Sequence, residues 1–206
     1  YIASPATVAM TALRGELTPM IHFEGTQYKY NIPRVEPVVL GEYDYRKSNG
    51  VWNYGDIDNI SSNQIFSEKL TCRLTLEQVE EIKPYLFGGL DPNFACDVKP
   101  GDIIIAGENF GCGQLVKHAA TGLVAVGVKL VIVKSVNWDF YRMAINHGLR
   151  ILVDWAVVDA YTSGEQLTID DENHLLYLNK RAYKLPYVDA EFQEILEKGG
   201  LVNTFS

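Results

Sequence analysis

The fold is decided by the stretch GDIIIAGENFGCGQLVKHAATGLVAVGVKLVIVKSVNWDFYRMAINHGLRIL, residues 101–152. Its apolar runs are short and rich in β-branched residues, which is typical of strands that are covered on both faces. The predicted strands are residues 102–107, 130–133 and 149–153. Residues 115–126 and 139–147 between them are predicted helices, ended by Gly127 and Gly148. This alternation predicts a parallel sheet with crossover helices.

A glycine-rich loop, residues 108–114, follows the first of these strands and leads into the first helix. Ligands of parallel sheets bind beyond the carboxyl ends of the strands, beside helix N-termini. The main-chain amides from Gly111 to Gln114 are therefore predicted to bind an anion. We expect any functional site of the chain to be built at this loop.

The segments around this unit are read as shorter elements. Residues 51–57 are a candidate strand, 58–63 a polar loop, 75–86 an amphipathic helix and 91–100 a loop. After the third strand we predict a brief helix at 156–163 and a hairpin whose turn is Asp170–Asn173. A strand at 182–185 and a final helix at 188–198 complete the chain.

Composition argues against several classes of function. The 206 residues carry a net charge of −8, which disfavours binding to a nucleic-acid backbone. No apolar run approaches the roughly 18 residues of a membrane span. The cysteines Cys72, Cys96 and Cys112 lack metal-binding spacing, so we predict no metal site in this chain and a reducing compartment.

Several separated segments resemble one family. GENFGCG followed by His118, then VIVKSVNWDFYRMAINHGLRIL and the ending EILEKGGLVNTFS, resemble the small subunit of 3-isopropylmalate dehydratase, the swivelling domain of the aconitase superfamily. The likeness covers residues 51–206. It implies an α/β fold of the swivelling β/β/α type and a hydro-lyase that acts on a small hydroxy di- or tricarboxylic acid. It also implies a [4Fe–4S] cluster that is bound by a large domain and not by this chain.

The N-terminal segment YIASPATVAMTALRGEL is similar to the end of the cluster-binding large subunit of the same enzymes. The resemblance therefore implies a fused parent protein, in which the large domain of the same parent is the partner. Residues 1–17 would be the tail of that preceding domain, 18–48 the interdomain linker and 49–206 the swivelling domain. We expect the parent in the cytoplasm, or in mitochondria if it is eukaryotic.

The sequence departs from the family where the family places its chemistry. The family loop continues Gly-Ser-Ser-Arg-Glu-His, whereas residues 113–118 here read Gly-Gln-Leu-Val-Lys-His. The serine that would act as the base and the arginine that would bind a carboxylate are thus absent. Asn63 stands where the family has an acidic residue, and Lys69 where several relatives have an arginine.

The candidate site residues follow from this comparison. Lys117 and His118 are the catalytic candidates, although we favour a solvated surface lysine and a histidine that supports the loop. The predicted substrate-binding residues are Asn63, Lys69, Gly111, Cys112, Gly113 and Gln114.

Two functions of different classes remain open at this stage. Either the parent is an aconitase-like hydro-lyase with a rebuilt proton-transfer site, or it is a degenerate paralogue that binds an anion or a partner without catalysis. RNA binding, as in the iron-regulatory relatives, is disfavoured by the negative net charge of the chain.

Overall fold

The computed structural model describes residues 46–66, 83–185 and 190–204. These ranges belong to one compact unit, residues 41–206. The predicted tail at 1–17, most of the predicted linker, most of the helix predicted at 75–86 and Lys69 lie outside the described residues. The helix prediction for 1–17 and the part of the 75–86 prediction that covers 75–82 therefore stay predictions. At the described end of the latter, Lys83–Tyr85 form a 3-10 helix and not the last turn of an α-helix, and Leu86 bridges to Phe66. No helix in the described ranges is long and apolar enough to cross a membrane.

The central sheet has five strands in the order β1-β2-β3-β4-β5. They are β1 Lys47–Ser48, β2 Val51–Tyr54, β3 Ile103–Ala106, β4 Leu130–Val133 and β5 Arg150–Val153. Strand β1 runs antiparallel to β2, and all other neighbours are parallel. The predicted parallel sheet is confirmed, and the last two residues assigned to the linker form its edge strand. The strand predicted at 51–57 ends earlier, at Tyr54.

Both faces of the sheet are covered, as the continuous apolar strands require. Every residue of β3 and β4 is buried. Alternate side chains point to opposite faces, so Ile104 belongs to one core cluster and Ile103 and Ile105 to another. Aromatic residues fill the first cluster, which includes Trp52, Tyr54, Phe87, Phe94, Phe110 and Phe140.

Two helices, α3 Val116–Ala125 and α4 Trp138–Asn146, follow β3 and β4. Both lie within one residue of the predicted bounds, and both end before a glycine with φ +79°. The N-cap residue of α4 is Asn137, whose side chain accepts hydrogen bonds from the amides of Asp139 and Phe140. The helix predictions for this unit are confirmed.

Two short helices lie where loops were predicted. Helix α1 is Ser62–Ile65, at the end of the predicted loop 58–63, and α2 is Pro92–Asp97, within the predicted loop 91–100. Caps hold them: Ser61 and Gln64 form a capping box, and Asp91 accepts from the amide of Asn93. Elements of one or two turns are too short for hydrophobic periodicity to reveal. The loop predictions are therefore wrong for Ser62, Asn63 and residues 92–97, and correct for the other residues of the two segments.

The C-terminal part adds a helix and a second sheet. Helix α5 is Trp155–Ala160, and the antiparallel strands are β6 Leu167–Asp170, β7 Leu175–Leu178 and β8 Arg181–Lys184. The predicted hairpin between β6 and β7 is confirmed. The chain continues with α6 Ala190–Glu197 and α7 Leu201–Thr204, so the final predicted helix is present and a further turn follows it.

Candidate functional site

Three loops meet beyond the carboxyl ends of the parallel strands. Residues 55–61 follow β2, residues 107–115 follow β3, and residues 134–137 follow β4. Two isolated parallel bridges join them, one between Ser61 and Cys112 and one between Phe110 and Val136. The glycine-rich loop therefore lies at the mouth of the sheet, as predicted, and is held from both sides.

Backbone pairing with the first loop fixes the turn at its base. The Gly111 amide donates to the Ile60 carbonyl at 2.8 Å, and the Ser62 amide donates to the Cys112 carbonyl at 2.6 Å. The buried Ser62 hydroxyl accepts from the Leu115 amide at 3.1 Å. These bonds make residues 60–62 and 111–115 one rigid structure.

Pairing with the third loop fixes the other side. The Phe110 amide donates to the Ser135 carbonyl at 3.0 Å, and the Phe110 carbonyl accepts from the Asn137 amide at 2.9 Å. The Ser135 hydroxyl accepts from the Asn109 amide at 2.7 Å. The buried Phe110 ring packs edge-on against Phe140, with centroids 5.3 Å apart. The turn is thereby joined to the start of α4.

Glycine is required at two positions of this turn. Gly111 has φ +75°, and a Cβ atom there would lie 2.2 Å from Cγ of Phe140. Gly113 has φ +108°, and a Cβ atom there would lie 2.8 Å from Oγ of Ser62 and 3.2 Å from Oδ1 of Asn63. Both backbone conformation and close packing exclude a side chain.

The set of amides that can bind an anion is smaller than the predicted set, Gly111 to Gln114. The amides of Phe110, Gly111 and Leu115 already donate to internal acceptors. Gly111 therefore does not offer its N–H to a ligand, which corrects that prediction. The pairing partner is some 50 residues away in the chain, and loop sequence carries no signal of it.

The amides of Cys112, Gly113 and Gln114 have no acceptor within the part of the chain that the structure describes. Gly113 and Gln114 are exposed, and Cys112 is half-buried. The ten-residue helix α3 follows at once, with no acidic residue in its first turn. These three amides, which we call the anion turn, can bind a carboxylate where the positive end of the helix dipole supports it.

The other predicted residues are placed as follows. Asn63 is exposed and lies beside Gly113, so the structure brings it to the anion turn. The Cys112 thiol donates a weak hydrogen bond to the Asn59 carbonyl at 3.6 Å. Lys69 lies outside the described ranges.

His118 and Lys117 lie on the first turn of α3. The His118 ring packs against Phe66, with centroids 5.6 Å apart. Burial lowers the pKa of His118, and the charge of Lys117 lowers it further. Lys117 is exposed. These contacts favour the supporting role for His118 and the solvated one for Lys117.

The described residues contain no group of three or more His, Cys, Asp or Glu that could hold a metal ion. Sequence reasoning missed the residues that position the turn, chiefly Ser62 and Ser135. The capping box formed by Ser61 and Gln64 could have indicated a helix that begins at Ser62, whereas no sequence signal pointed to Ser135.

Comparison with known proteins agrees with this architecture. The family described as the aconitase C-terminal domain matches residues 53–153. The chain is 39% identical to 3-isopropylmalate dehydratase small subunit 1 of Archaeoglobus fulgidus, over 73% of this chain and 91% of that protein. It is 40% identical to the corresponding small subunit of Lachnospira eligens, over 75% of this chain and 91% of that protein.

A solved structure extends the agreement to the fold. The crystal structure of 3-isopropylmalate dehydratase from Methanocaldococcus jannaschii has a TM-score of 0.63 and 33% identity, over 72% of this chain and 87% of that one. Sequence and fold therefore point to the same relatives. The chain belongs to the aconitase superfamily, and within it to the swivelling domains of the 3-isopropylmalate dehydratase small-subunit type.

Proposed function

We propose that this chain is the carboxylate-binding half of a hydro-lyase that dehydrates and rehydrates a small hydroxy di- or tricarboxylic acid. The single observation that supports it is the anion turn. The three amides of Cys112, Gly113 and Gln114 immediately precede a helix and have no acceptor within the described ranges. In this proposal they hold a substrate carboxylate at the mouth of the sheet, with Asn63 beside them.

In this proposal the chain supplies groups that bind a carboxylate, but residues 114–116 contain no side chain that can act as a base. Gln114 has an amide side chain, and Leu115 and Val116 are apolar. Val116 packs against the aromatic core cluster, so the position of the family arginine is filled by a partly buried hydrocarbon. Proton transfer then comes from Lys117, from His118 or from the large domain. Alternatively, the substrate lacks the carboxylate that the arginine would bind.

The remaining parts of the active site belong to a partner. Small-subunit relatives imply a large-subunit partner. We propose that it is fused ahead of this chain, that residues 1–17 are its tail and 18–48 the linker, and that it holds a [4Fe–4S] cluster. The cluster supplies the metal site for the substrate hydroxyl. We also propose a cytoplasmic protein, or a mitochondrial one in a eukaryote.

The first test is turnover by the full-length protein with its cluster reconstituted. Citrate, isopropylmalate, homocitrate and smaller hydroxy acids are assayed for hydration or dehydration by absorbance of the unsaturated product. We expect one of them to turn over. An intact cluster spectrum with no turnover of any of these acids would contradict the enzyme proposal.

A second test examines the anion turn alone. Citrate is titrated into ¹⁵N-labelled 206-residue chain, and the amide shifts are followed by NMR. We expect the largest shifts at Cys112, Gly113 and Gln114, whereas the Gly111 amide, which already donates to Ile60, shifts little. Gly113→Ala is the matched variant, because its Cβ would displace Ser62 and Asn63. Shifts spread evenly over the surface would reject specific binding.

A degenerate paralogue is the second candidate, and a specific observation favours it. Leu115 and Val116 occupy two consecutive positions where the family places a serine and an arginine. A protein that retains the anion turn but not the base fits binding or regulation without catalysis. The discriminating observation is the upstream sequence of the parent. Three cluster-binding cysteines there favour the enzyme, and their absence favours the binding protein.

A further inference from the structure

Large exposed hydrophobic side chains concentrate at the edge of the sheet that carries the anion turn. The described ranges contain four such residues, and three of them lie here: Trp138 is 68% exposed, Val153 47% and Trp155 50%. Trp138 opens α4 after β4, Val153 ends β5, and Trp155 opens α5. With Tyr141, whose ring stacks on Trp138 at 5.9 Å, they form what we call the aromatic rim.

The rim is held in place before any partner binds. The N-cap side chain of Asn137 fixes the start of α4, and that of Asp154 accepts from the Val157 amide at the start of α5. The Trp155 ring lies under the ammonium group of Lys134, 5.2 Å from its centroid. Ordered aromatic side chains lose little entropy on binding, so they suit the centre of an interface.

The rim and the anion turn lie at the same edge of the sheet, and backbone hydrogen bonds join the loops that carry them. The Asn137 amide donates to the Phe110 carbonyl, which joins the start of α4 to the turn. The Asp154 amide donates to the Val133 carbonyl, which joins the start of α5 to the end of β4. A domain that closes over a substrate on the turn must therefore approach the rim.

Charge on this edge also favours one kind of partner. Asp58, Glu108 and Asp139 are exposed there. The nearby Lys134 forms its ion pair with Asp159, and the charges of Asp58 and Glu108 contribute to raising its pKa, so one cation offsets part of this negative charge. A protein surface with basic groups complements the three acidic residues, and complementary charge accelerates association. A second copy of this chain, with its net charge of −8, is a poorer fit.

We propose that the aromatic rim is the docking surface for the cluster-bearing large domain, with Trp138 and Trp155 as its anchors. The inference rests on the proposed function, since it takes the anion turn as half of a divided active site. Large apolar side chains that are exposed together at one edge of a protein are typical of a surface that contacts another protein. The docked domain offers apolar pockets for the two indoles and basic groups for the acidic positions.

Hydroxyl-radical footprinting tests the surface without relying on activity. Side-chain oxidation is measured by mass spectrometry in the full-length cluster-loaded protein and in the 206-residue chain alone. We expect Trp138 and Trp155 to be oxidised at least about fivefold more slowly in the full-length protein. Tyr85, which is 44% exposed and lies outside the rim, is the internal control and should react equally in both. Equal rates at the two tryptophans would overturn the proposal.

Variants give the second measurement. The separately expressed large domain is titrated with the 206-residue chain, and Trp138→Ala with Trp155→Ala is compared with Tyr85→Ala. Loss of two aromatic anchors should weaken binding at least about tenfold, whereas the control should bind unchanged. Protection that instead rises with the concentration of the isolated chain would assign the rim to self-association and overturn the proposal. Docking of the large domain without turnover of any acid would contradict the proposed enzyme activity and would still support the proposed docking surface.

Discussion

Gly111 shows at the scale of one residue how the turn depends on the absence of a side chain. Its φ of +75° disfavours any L-residue, and an added Cβ would meet the Phe140 ring at 2.2 Å. We predict that Gly111→Ala lowers the free energy of unfolding by at least about 2 kcal/mol, since backbone strain adds to overpacking. Urea unfolding measures it. Gly89→Ala is the control, because nothing lies within 4 Å of its added Cβ; equal losses would contradict the argument.

The pKa of His118 leads us to predict that the stability of the fold depends on pH, with a definite sign. Its pKa in the folded protein lies below the ordinary 6.5, because burial and the charge of Lys117 both disfavour the protonated ring. The unfolded chain therefore binds more protons between the two values. Stability from this group is present above pH 6.5 and is lost as the pH falls through the folded pKa.

The measurement is an NMR titration of the His118 ring. We expect Lys117→Met to raise the pKa of His118, and of His147 as well, since the charge of Lys117 also lowers that second pKa. Lys129→Met is the control for a general change in charge. A pKa of His118 at or above 6.5 in the wild-type chain would contradict the prediction.

At the scale of the element, whether the sequence predicted a helix or strand correctly depends on how that segment is stabilised. The bounds of strands β3 and β4 and of helices α3 and α4 were predicted to within one residue. This was possible because apolar side chains that are buried in such elements recur along the sequence in a recognisable pattern. Helices α1 and α2 owe their existence to caps such as Asp91, which also accepts from the buried Tyr54 hydroxyl at 3.0 Å. A contact between residues 54 and 91 leaves no local pattern.

Strand β1 is a second element held by a remote contact, and it predicts a large mutational effect. The Lys47 ammonium donates to Asp102 at 2.6 Å, and the Trp52 indole donates to the same oxygen at 3.0 Å. The Lys47 and Asp102 side chains are 11% and 6% exposed. We expect Lys47→Met to cost about 3–5 kcal/mol, because it leaves a buried carboxylate without its cation.

Thermal or urea unfolding of the 206-residue chain measures that cost. Lys198→Met is the matched control: its ion pair with Glu194 is exposed on both sides and should be worth less than about 1 kcal/mol. A similar small effect for Lys47→Met would show that Trp52 and the backbone donor at Lys99 suffice to satisfy Asp102.

At the scale of the whole molecule, the sequence predicted where the candidate site lies but not which main-chain amides are available to a ligand. The strand–loop–helix order placed the glycine-rich loop at the mouth of the sheet, and the structure confirms that position. Which amides of the loop are left without an acceptor among the described residues depends on pairing between loops that are about 50 residues apart, such as Gly111 with Ile60. Periodicity and motif spacing contain no information about such pairing.

The division of the site predicts that the 206-residue chain alone has no hydro-lyase activity. The described residues provide an anion turn but no ligand set for a cluster. We expect activity to return when the large domain is added in trans with its cluster intact, assayed with whichever acid the full-length protein converts. Turnover by the isolated chain would contradict a divided active site.

The interlocking of residues 60–62 with 111–115 has a consequence for protein engineering. Installing the relatives' Ser-Ser-Arg at positions 114–116 replaces side chains only, whereas residues 111–115 contribute main-chain groups to the bonds between the two loops. The one side chain in the interlock is that of Ser62, whose hydroxyl accepts from the Leu115 amide. We therefore expect such a graft to keep the shape of the turn as long as Ser62 is kept, so that new side-chain chemistry can be acquired here without rebuilding the backbone.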